Sequence, residues 1–258
     1  MSKDFRREIE FTPLGDSALT LRLHNAEGLP PDVVAMLQCL EAAAIPGVVE
    51  FTPSYTTIAV FYDPAVVQRA GAPADGIIEW LESRITDAIA AAPSETIQTG
   101  KSSVEIPVCY DPEFALDLND VAQHTGLSSE EIVRRHARAT YRVNCVGFTP
   151  GFPYLSGLPA ELATPRRATP RKSVPAGSVA IGSAQTGIYP QSSPGGWNVI
   201  GRTRLRLFDV AKNPPALLRA GDVVHFREIT RIEFDALVGR RSAEPARQSL
   251  APPKGFAD

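Results

Sequence analysis

The stretch from Asn144 to Thr203 most limits what this chain can fold into, because glycine and proline recur there too often for any long helix or strand. It opens with Gly147-Phe148-Thr149-Pro150-Gly151-Phe152-Pro153-Tyr154 and continues through Thr164-Pro165-Arg166-Arg167-Ala168-Thr169-Pro170-Arg171 to Val174-Pro175-Ala176-Gly177-Ser178. Gln185-Thr186-Gly187-Ile188-Tyr189-Pro190, Ser193-Pro194-Gly195-Gly196-Trp197 and Gly201-Arg202-Thr203 complete it. Glycine admits backbone angles closed to other residues, and proline fixes its own angle and removes a donor. Short strands joined by tight turns satisfy both, which argues for a barrel-like all-β core. An ordinary connection needs only about 4–6 residues. Loops this long, bearing arginines, glutamine and aromatics, point to a binding or catalytic surface.

Before this stretch the pattern is different. Residues 8–14 are strand-like, and Leu19, Leu21 and Leu23 alternate onto one face. Pro31-Asp32 opens a helix whose Val33, Leu37, Leu40 and Ala44 share a face, and Pro46-Gly47 ends it. Residues 48–52 and 55–62 read as a hairpin parted by Pro53-Ser54, and Ile77, Ile78, Leu81, Ile85, Ala88 and Ile89 mark a second helix. The order is ββαββα. Residues 93–103 lack apolar periodicity and read as a linker, which gives a small α/β domain over 5–92 and a β-barrel domain over 104–238. In the second domain a strand over 104–109 precedes helices over 118–124 and 129–136, with Ser128 and Glu131 spaced as a capping box. Strands are expected over 140–146, 178–181, 186–189, 198–200, 204–208 and 223–229, and the polar tail from Ser242 is expected to fray.

Composition excludes several classes. With 258 residues, 43% of them hydrophobic, the chain suits a soluble globular protein. It has no apolar run near the roughly 18 residues of a membrane span, and no secretory leader. Three cysteines without metal-ligand spacing suit a reducing cytoplasm, and a net charge of −3 gives no reason to expect nucleic acid. No metal site is expected. Gly100-Lys101-Ser102 resembles the end of a phosphate loop, but Glu95 stands where that motif needs glycine, and the run reads as linker.

The candidate site residues follow from chemistry. Arg166, Arg167, Arg171 and Lys172 form the only basic cluster; Pro165 and Pro170 hold it extended, and alternation would turn Arg167 and Arg171 to one side. Guanidinium forks suit carboxylate or phosphate, and a solvated surface strand is the competing reading. Gln185 and Tyr189, beside glycine, suit recognition of an amide or lactam, against a self-satisfied hairpin. Phe148, Pro150 and Gly151 of the loop, with Arg202, complete the substrate-binding set. His136 is a candidate for proton transfer and equally a helix C-terminal cap. Cys145 reads as a buried thiol on one face with Val143 and Gly147, and Trp197 as packing at a barrel end.

Taken together these motifs resemble the family of 5-oxoprolinase B subunits, which includes the KipI-type inhibitors of a sporulation histidine kinase and the allophanate hydrolase subunit 1 domain of urea-degrading enzymes. Leu14-Gly15-Asp16-Ser17-Ala18-Leu19 and Pro215-Ala216-Leu217-Leu218-Arg219-Ala220-Gly221-Asp222 extend the likeness over nearly the whole chain. The resemblance implies an α+β protein: a small α/β domain followed by a cyclophilin-like β-barrel related to carboxyltransferase domains. It also implies two partners, the related barrel-forming C subunit of 5-oxoprolinase and its separate A subunit, with which the chain would open 5-oxoproline to glutamate using ATP. A regulator of a histidine kinase and a component of a urea-degrading system are the alternatives. Ala137 stands where members often carry Ser or Thr, so a hydroxyl partner for His136 at that position is missing.

Overall fold

The computed structural model describes residues 9–24, 33–91, 102–237 and 248–249. The chain forms two compact units, residues 1–99 and 100–258. The openings of the first strand and first helix at Glu8 and Pro31-Asp32, most of the linker and nearly all of the tail lie outside the described residues.

The first unit holds β1 (Ile9–Pro13), β2 (Ala18–Leu23), α1 (Val33–Ala43), β3 (Val48–Ser54), β4 (Thr57–Tyr62), α2 (Pro64–Arg69) and α3 (Ile77–Ala91). Its sheet runs β1-β2-β4-β3, antiparallel throughout. Leu19, Leu21 and Leu23 alternate inward beside Ile58, Val60 and Tyr62, and pack with Leu37 and Leu40 of α1 and Leu81 and Ile85 of α3. Two details differ from the sequence reading. Pro53 and Ser54 belong to β3, and the hairpin turns at Tyr55, whose φ is +53°. Proline is tolerated there because β3 is an edge strand with no further ladder to donate to. The short α2 is also new; Asp63 caps it by accepting from the Ala65 and Val66 amides, with Pro64 opening its first turn.

The second unit is built on an eight-stranded curled sheet, cyclophilin-like, in the order β12-β9-β10-β7-β6-β13-β5-β14. These strands are β5 (Ser102–Val108), β6 (Thr140–Val146), β7 (Pro153–Ser156), β9 (Ser178–Gly182), β10 (Gln185–Ile188), β12 (Asn198–Arg202), β13 (Val223–Glu228) and β14 (Gln248–Ser249). β8 (Arg171–Val174) and β11 (Ser193–Gly195) form a separate ribbon, and α4 (Leu118–Thr125), α5 (Ser129–Arg138) and α6 (Arg231–Ala236) complete the unit. Among the described strands, β5 and β13 run parallel and the other paired neighbours antiparallel. Ser128 caps α5 at the Glu131 amide, while the Glu131 carboxylate turns to Arg134 and Arg135. Ser102 opens a strand, not a helix, so the Gly100-Lys101-Ser102 run has no phosphate-loop context.

The sheet curls until its flanks meet. Cys109, just past β5, and Arg202, at the end of β12, exchange both backbone hydrogen bonds at 2.9 Å. Val104, Ile106, Val108, Val179, Ile181, Ile188, Ile200 and Val224 fill the interior and are fully buried. The closure explains why residues 204–208 are no strand: β12 has already found its second neighbour, and only an isolated Phe208–Ala216 bridge remains.

Closure needs the glycine beside Arg202. A Cβ at Gly201 would stand 2.8 Å from Val108 Cγ1 and 3.0 Å from the Cys109 carbonyl oxygen. Gly201→Ala is expected to destabilise the chain by about 1–3 kcal/mol through overpacking. Urea unfolding measures this, and an unchanged midpoint would show that the seam is not tightly packed.

Candidate functional site

The glycine-proline loop starts from an irregular strand. A bulge in β6 sets Val143 opposite Leu155 but Cys145 opposite Tyr154. Cys145 is therefore shifted onto the Tyr154 side and does not share a face with Val143, as uninterrupted alternation would have placed it. The loop then tightens. The Thr149 amide donates to the Gly147 carbonyl at 2.8 Å around Phe148, whose φ is +69°. A three-residue turn at positive φ is the strained form of γ-turn. Gly151, at φ +85°, lies so close to Phe208 that a Cβ would meet the Phe208 Cβ at 2.7 Å. The result is a strained aromatic, Phe148, that is 63% exposed. Strain of this kind, held at an exposed apolar side chain, marks functional surfaces.

Beneath Phe148 lies an aromatic platform on the outer face of the sheet. Phe152 is centred 5.7 Å from Phe148, 5.0 Å from Tyr154, 5.2 Å from Tyr189 and 5.5 Å from Trp197. Three glycines make the room: a side chain at Gly182 would overlap the Trp197 ring, one at Gly187 the Phe152 ring, and one at Gly195 the Tyr189 hydroxyl. Trp197 thus packs over the outer face, not at a barrel end. Arg166, exposed, lies 5.7 Å over its ring. Burial raises the Tyr154 and Tyr189 phenols above their usual range, and the Arg166 charge opposes the rise in both. Tyr189 is itself buried, so it supports the platform from below. Gln185 is half-buried at the start of β10, two residues before Gly187 and so on the same face of the strand.

Next to the platform stands a carboxylate that no local pattern announced. Asp117 directly precedes α4, where an aspartate reads as an N-cap, yet it makes no cap bond. Its side chain is fully buried. Arg171 grips it with both terminal nitrogens at 2.7 Å, Arg167 adds a third guanidinium contact, and the Val199 amide donates at 2.7 Å. The bond to Asp117 holds the Arg171 guanidinium above its usual range. Further ties fix the Thr-Pro-Arg segment: the Arg167 amide donates to the Gly196 carbonyl at 2.7 Å, and Asn198 Nδ2 to the Pro165 carbonyl at 2.8 Å.

His136 lies elsewhere, inside the barrel and fully buried. Thr186 Oγ1 donates to the Ala180 carbonyl, so it accepts from His136 Nε2 at 3.0 Å. His136 Nδ1 accepts from the Tyr110 hydroxyl at 2.8 Å, and the ring stacks on Phe226 at 4.6 Å. A neutral imidazole fits this arrangement, and burial depresses its pKa to about 3. The ring is thus not a C-terminal cap for α5.

The family model of the carboxyltransferase domain, subdomain C and D, matches residues 9–218. The chain belongs to that family. It is 41% identical over 230 residues to the B subunit of 5-oxoprolinase from Bacillus subtilis (strain 168), covering 86% of this chain and 94% of the relative. It is 41% identical over 218 residues to the corresponding B subunit from Escherichia coli O157:H7, covering 83% and 93%. The solved structure of TTHA0988 aligns with a TM-score of 0.67 at 35% identity over 83% of this chain, which spans only 40% of that longer chain.

Within this carboxyltransferase-type barrel the sequence-derived candidates fall into separate places. Phe148, Pro150, Gly151 and Arg166 belong to the outer platform and its loop, with Gln185 on the adjoining strand and Tyr189 beneath. Arg167 and Arg171 are committed to Asp117. Arg202 is at the barrel seam, and His136 is in the interior. Asp117 is the residue that sequence reasoning missed, because its partners lie 50, 54 and 82 positions away.

The pairing changes what Arg171 is expected to do. A guanidinium lining a site would be removable without unfolding the chain; one that neutralises a buried carboxylate is not. Arg171→Ala is expected to cost about 3 kcal/mol, near the low end for breaking a buried pair because Arg167 remains. Arg166→Ala should change stability by less than roughly 0.5 kcal/mol. Thermal melts of the two variants test the contrast, and equal melting temperatures would refute it.

His136 predicts a pH dependence. Its folded pKa of about 3 lies below the ordinary 6.5, so between those values only the unfolded chain takes up the proton. Its contribution is complete above pH 6.5 and is lost as pH falls toward 3, by about 1.4 kcal/mol per unit. Denaturant unfolding at pH 7.5 and 5.0 should therefore show a loss of about 2 kcal/mol from this group. The loss between the two pH values should be smaller by about 2 kcal/mol in His136→Gln; an unchanged loss would assign it to other groups.

Proposed function

We propose that this chain is the B subunit of an ATP-dependent 5-oxoprolinase, a cytoplasmic complex in which it works with the related barrel-forming C subunit and the A subunit to open the lactam of 5-oxoproline to L-glutamate. One observation carries the reading: 41% identity along 94% of a relative named as the B subunit of 5-oxoprolinase, which leaves little of that protein unmatched. The platform supports it chemically. 5-Oxoproline presents a carboxylate and a small, flat, neutral ring amide. A guanidinium on an indole is suited to the carboxylate, the exposed Phe148 ring to the ring face, and the Gln185 amide group to the lactam edge. Arg166 takes the anion-binding role in this reading, because Asp117 already engages Arg167 and Arg171.

An unactivated amide is a poor electrophile, and ATP supplies the activation by making the amide oxygen a leaving group. The described residues offer no glycine-rich loop before a helix that would cradle its phosphates, so ATP is assigned to the complex and no step is routed through this chain. The chain's own contribution is to bind and orient the ring, keep water from its apolar face and hold its carboxylate.

Co-expression with the two partner subunits, followed by an assay of glutamate release from 5-oxoproline with ATP, tests the proposal. The reconstituted complex should be active and the isolated chain inactive. Arg166→Ala should lower the rate constant at limiting substrate by about tenfold to a hundredfold with an unchanged melt, as expected for one charge-assisted contact of about 1.5–3 kcal/mol. Substrate-dependent ATP hydrolysis by the isolated chain, or full activity of the variant, would overturn this assignment of roles.

A further inference from the structure

Arg202 is a half-buried cation that forms no ion pair among the described residues. Its backbone bonds close the barrel, and these would be made whatever side chain stood there. The side chain itself is held: Nε donates to the Ala176 carbonyl at 2.9 Å, and the guanidinium lies 5.9 Å over the Phe114 ring. Among the described residues its two terminal nitrogens meet no acceptor. Phe114 stacks with Phe234 at 4.5 Å, and two more guanidiniums lie on the same ring pair, Arg204 at 4.3 Å over Phe234 and Arg231 at 4.7 Å over Phe114. The nearby carboxylates, Glu113 and Asp235, are both bonded to Arg231, and Arg204 approaches Asp235 only at 3.7 Å. Three guanidiniums thus share two carboxylates that one of them already holds. Burial and the like charge of Arg204 press the Arg202 pKa below its usual range, with Glu113 partly opposing. A bound anion would relieve both pressures.

We propose that Arg202 and Arg204, set on the Phe114–Phe234 ring pair, form an anion subsite that takes a phosphoryl group. The free end of Arg202 is a planar fork matched to two oxygens of a tetrahedral oxyanion, and Arg204 supplies a second cation for a dianion. Neighbouring Arg231 also lines an open groove of about 660 Å³, in which Arg134 and Arg138 are balanced by Asp111, Glu130 and Glu228; Arg202 and Arg204 do not line it, so the subsite rests on the two guanidiniums and the ring pair alone. The subsite stands apart from the oxoprolinase reading, since inorganic phosphate can be tested on the isolated full-length chain without partners or turnover.

The test is a titration with inorganic phosphate at constant ionic strength in chloride, followed by thermal melting and by broadening of the phosphate ³¹P resonance. The chain should show a saturable rise in melting temperature and saturable broadening. Binding should weaken at least tenfold in Arg202→Gln. Arg204→Gln should also weaken it, which keeps the test decisive if Arg202→Gln fails to fold. Arg22→Gln, an exposed arginine of the first unit, should bind as the parent does. Absence of saturable binding, equal binding by both seam variants, or an equal response to acetate would overturn the proposal.

Discussion

The buried carboxylate of Asp117 holds the candidate face together. Removing a carboxylate from water is costly unless charge and hydrogen bonds replace the lost solvent. Here two guanidiniums and a backbone amide do so. The partners come from the arginine segment and from β12, so satisfying one side chain fixes the start of α4, the β8–β11 ribbon and the strand that closes the barrel relative to one another. The interaction is one of specificity more than of net stability. A well-packed apolar replacement would hold three segments together without dictating which guanidinium sits where. The carboxylate's two oxygens, shared among a bidentate Arg171, a single contact from Arg167 and the Val199 amide, accept only one register.

Around that anchor the sheet is buried on both sides. Val179, Ile181 and Ile188 face the interior, while Ala180, Val199 and Tyr189 face a second apolar layer with Phe152, Val174 and Trp197. A two-sided sheet with bulky residues everywhere would be too thick to curl and close. Glycine solves this locally: Gly182, Gly187 and Gly195 each yield the volume of a side chain to an aromatic ring, and Gly201 lets the seam between β5 and β12 meet. Much of the glycine in this chain therefore serves close approach, and some of it serves turns.

The arginines divide by the same logic. Arg167 and Arg171 complete the fold, Arg166 is presented on the indole of Trp197, and Arg202 lies at the seam, its Nε held by the Ala176 carbonyl. Adjacent positions in the chain, Arg166 and Arg167, carry opposite duties because consecutive side chains of an extended segment leave on opposite sides. Family membership places the chain among carboxyltransferase-domain proteins; the side-chain geometry shows which of the described arginines hold the buried carboxylate.

The sequence by itself determined the two-part organisation, the alternation that builds both sheets, the helical faces and the position of the glycine-proline loops, because each of these depends on neighbours within a few residues. It also marked Phe148, Arg166 and Gln185 as candidates through their residue types and the glycine and proline around them. It did not determine the hairpin turn at Tyr55, the bulge that shifts Cys145, the end of regular structure after Arg202, the interior position of His136, or the role of Asp117. Each of those follows from a partner far along the chain: an edge with no neighbour, a strand that must bend around a core, a seam already closed, a threonine and a tyrosine that fix an imidazole. Only the tertiary structure decided which arginines hold the buried carboxylate. A guanidinium's fate rests on whether a buried carboxylate comes within hydrogen-bond reach, and chain separation carries no record of that distance.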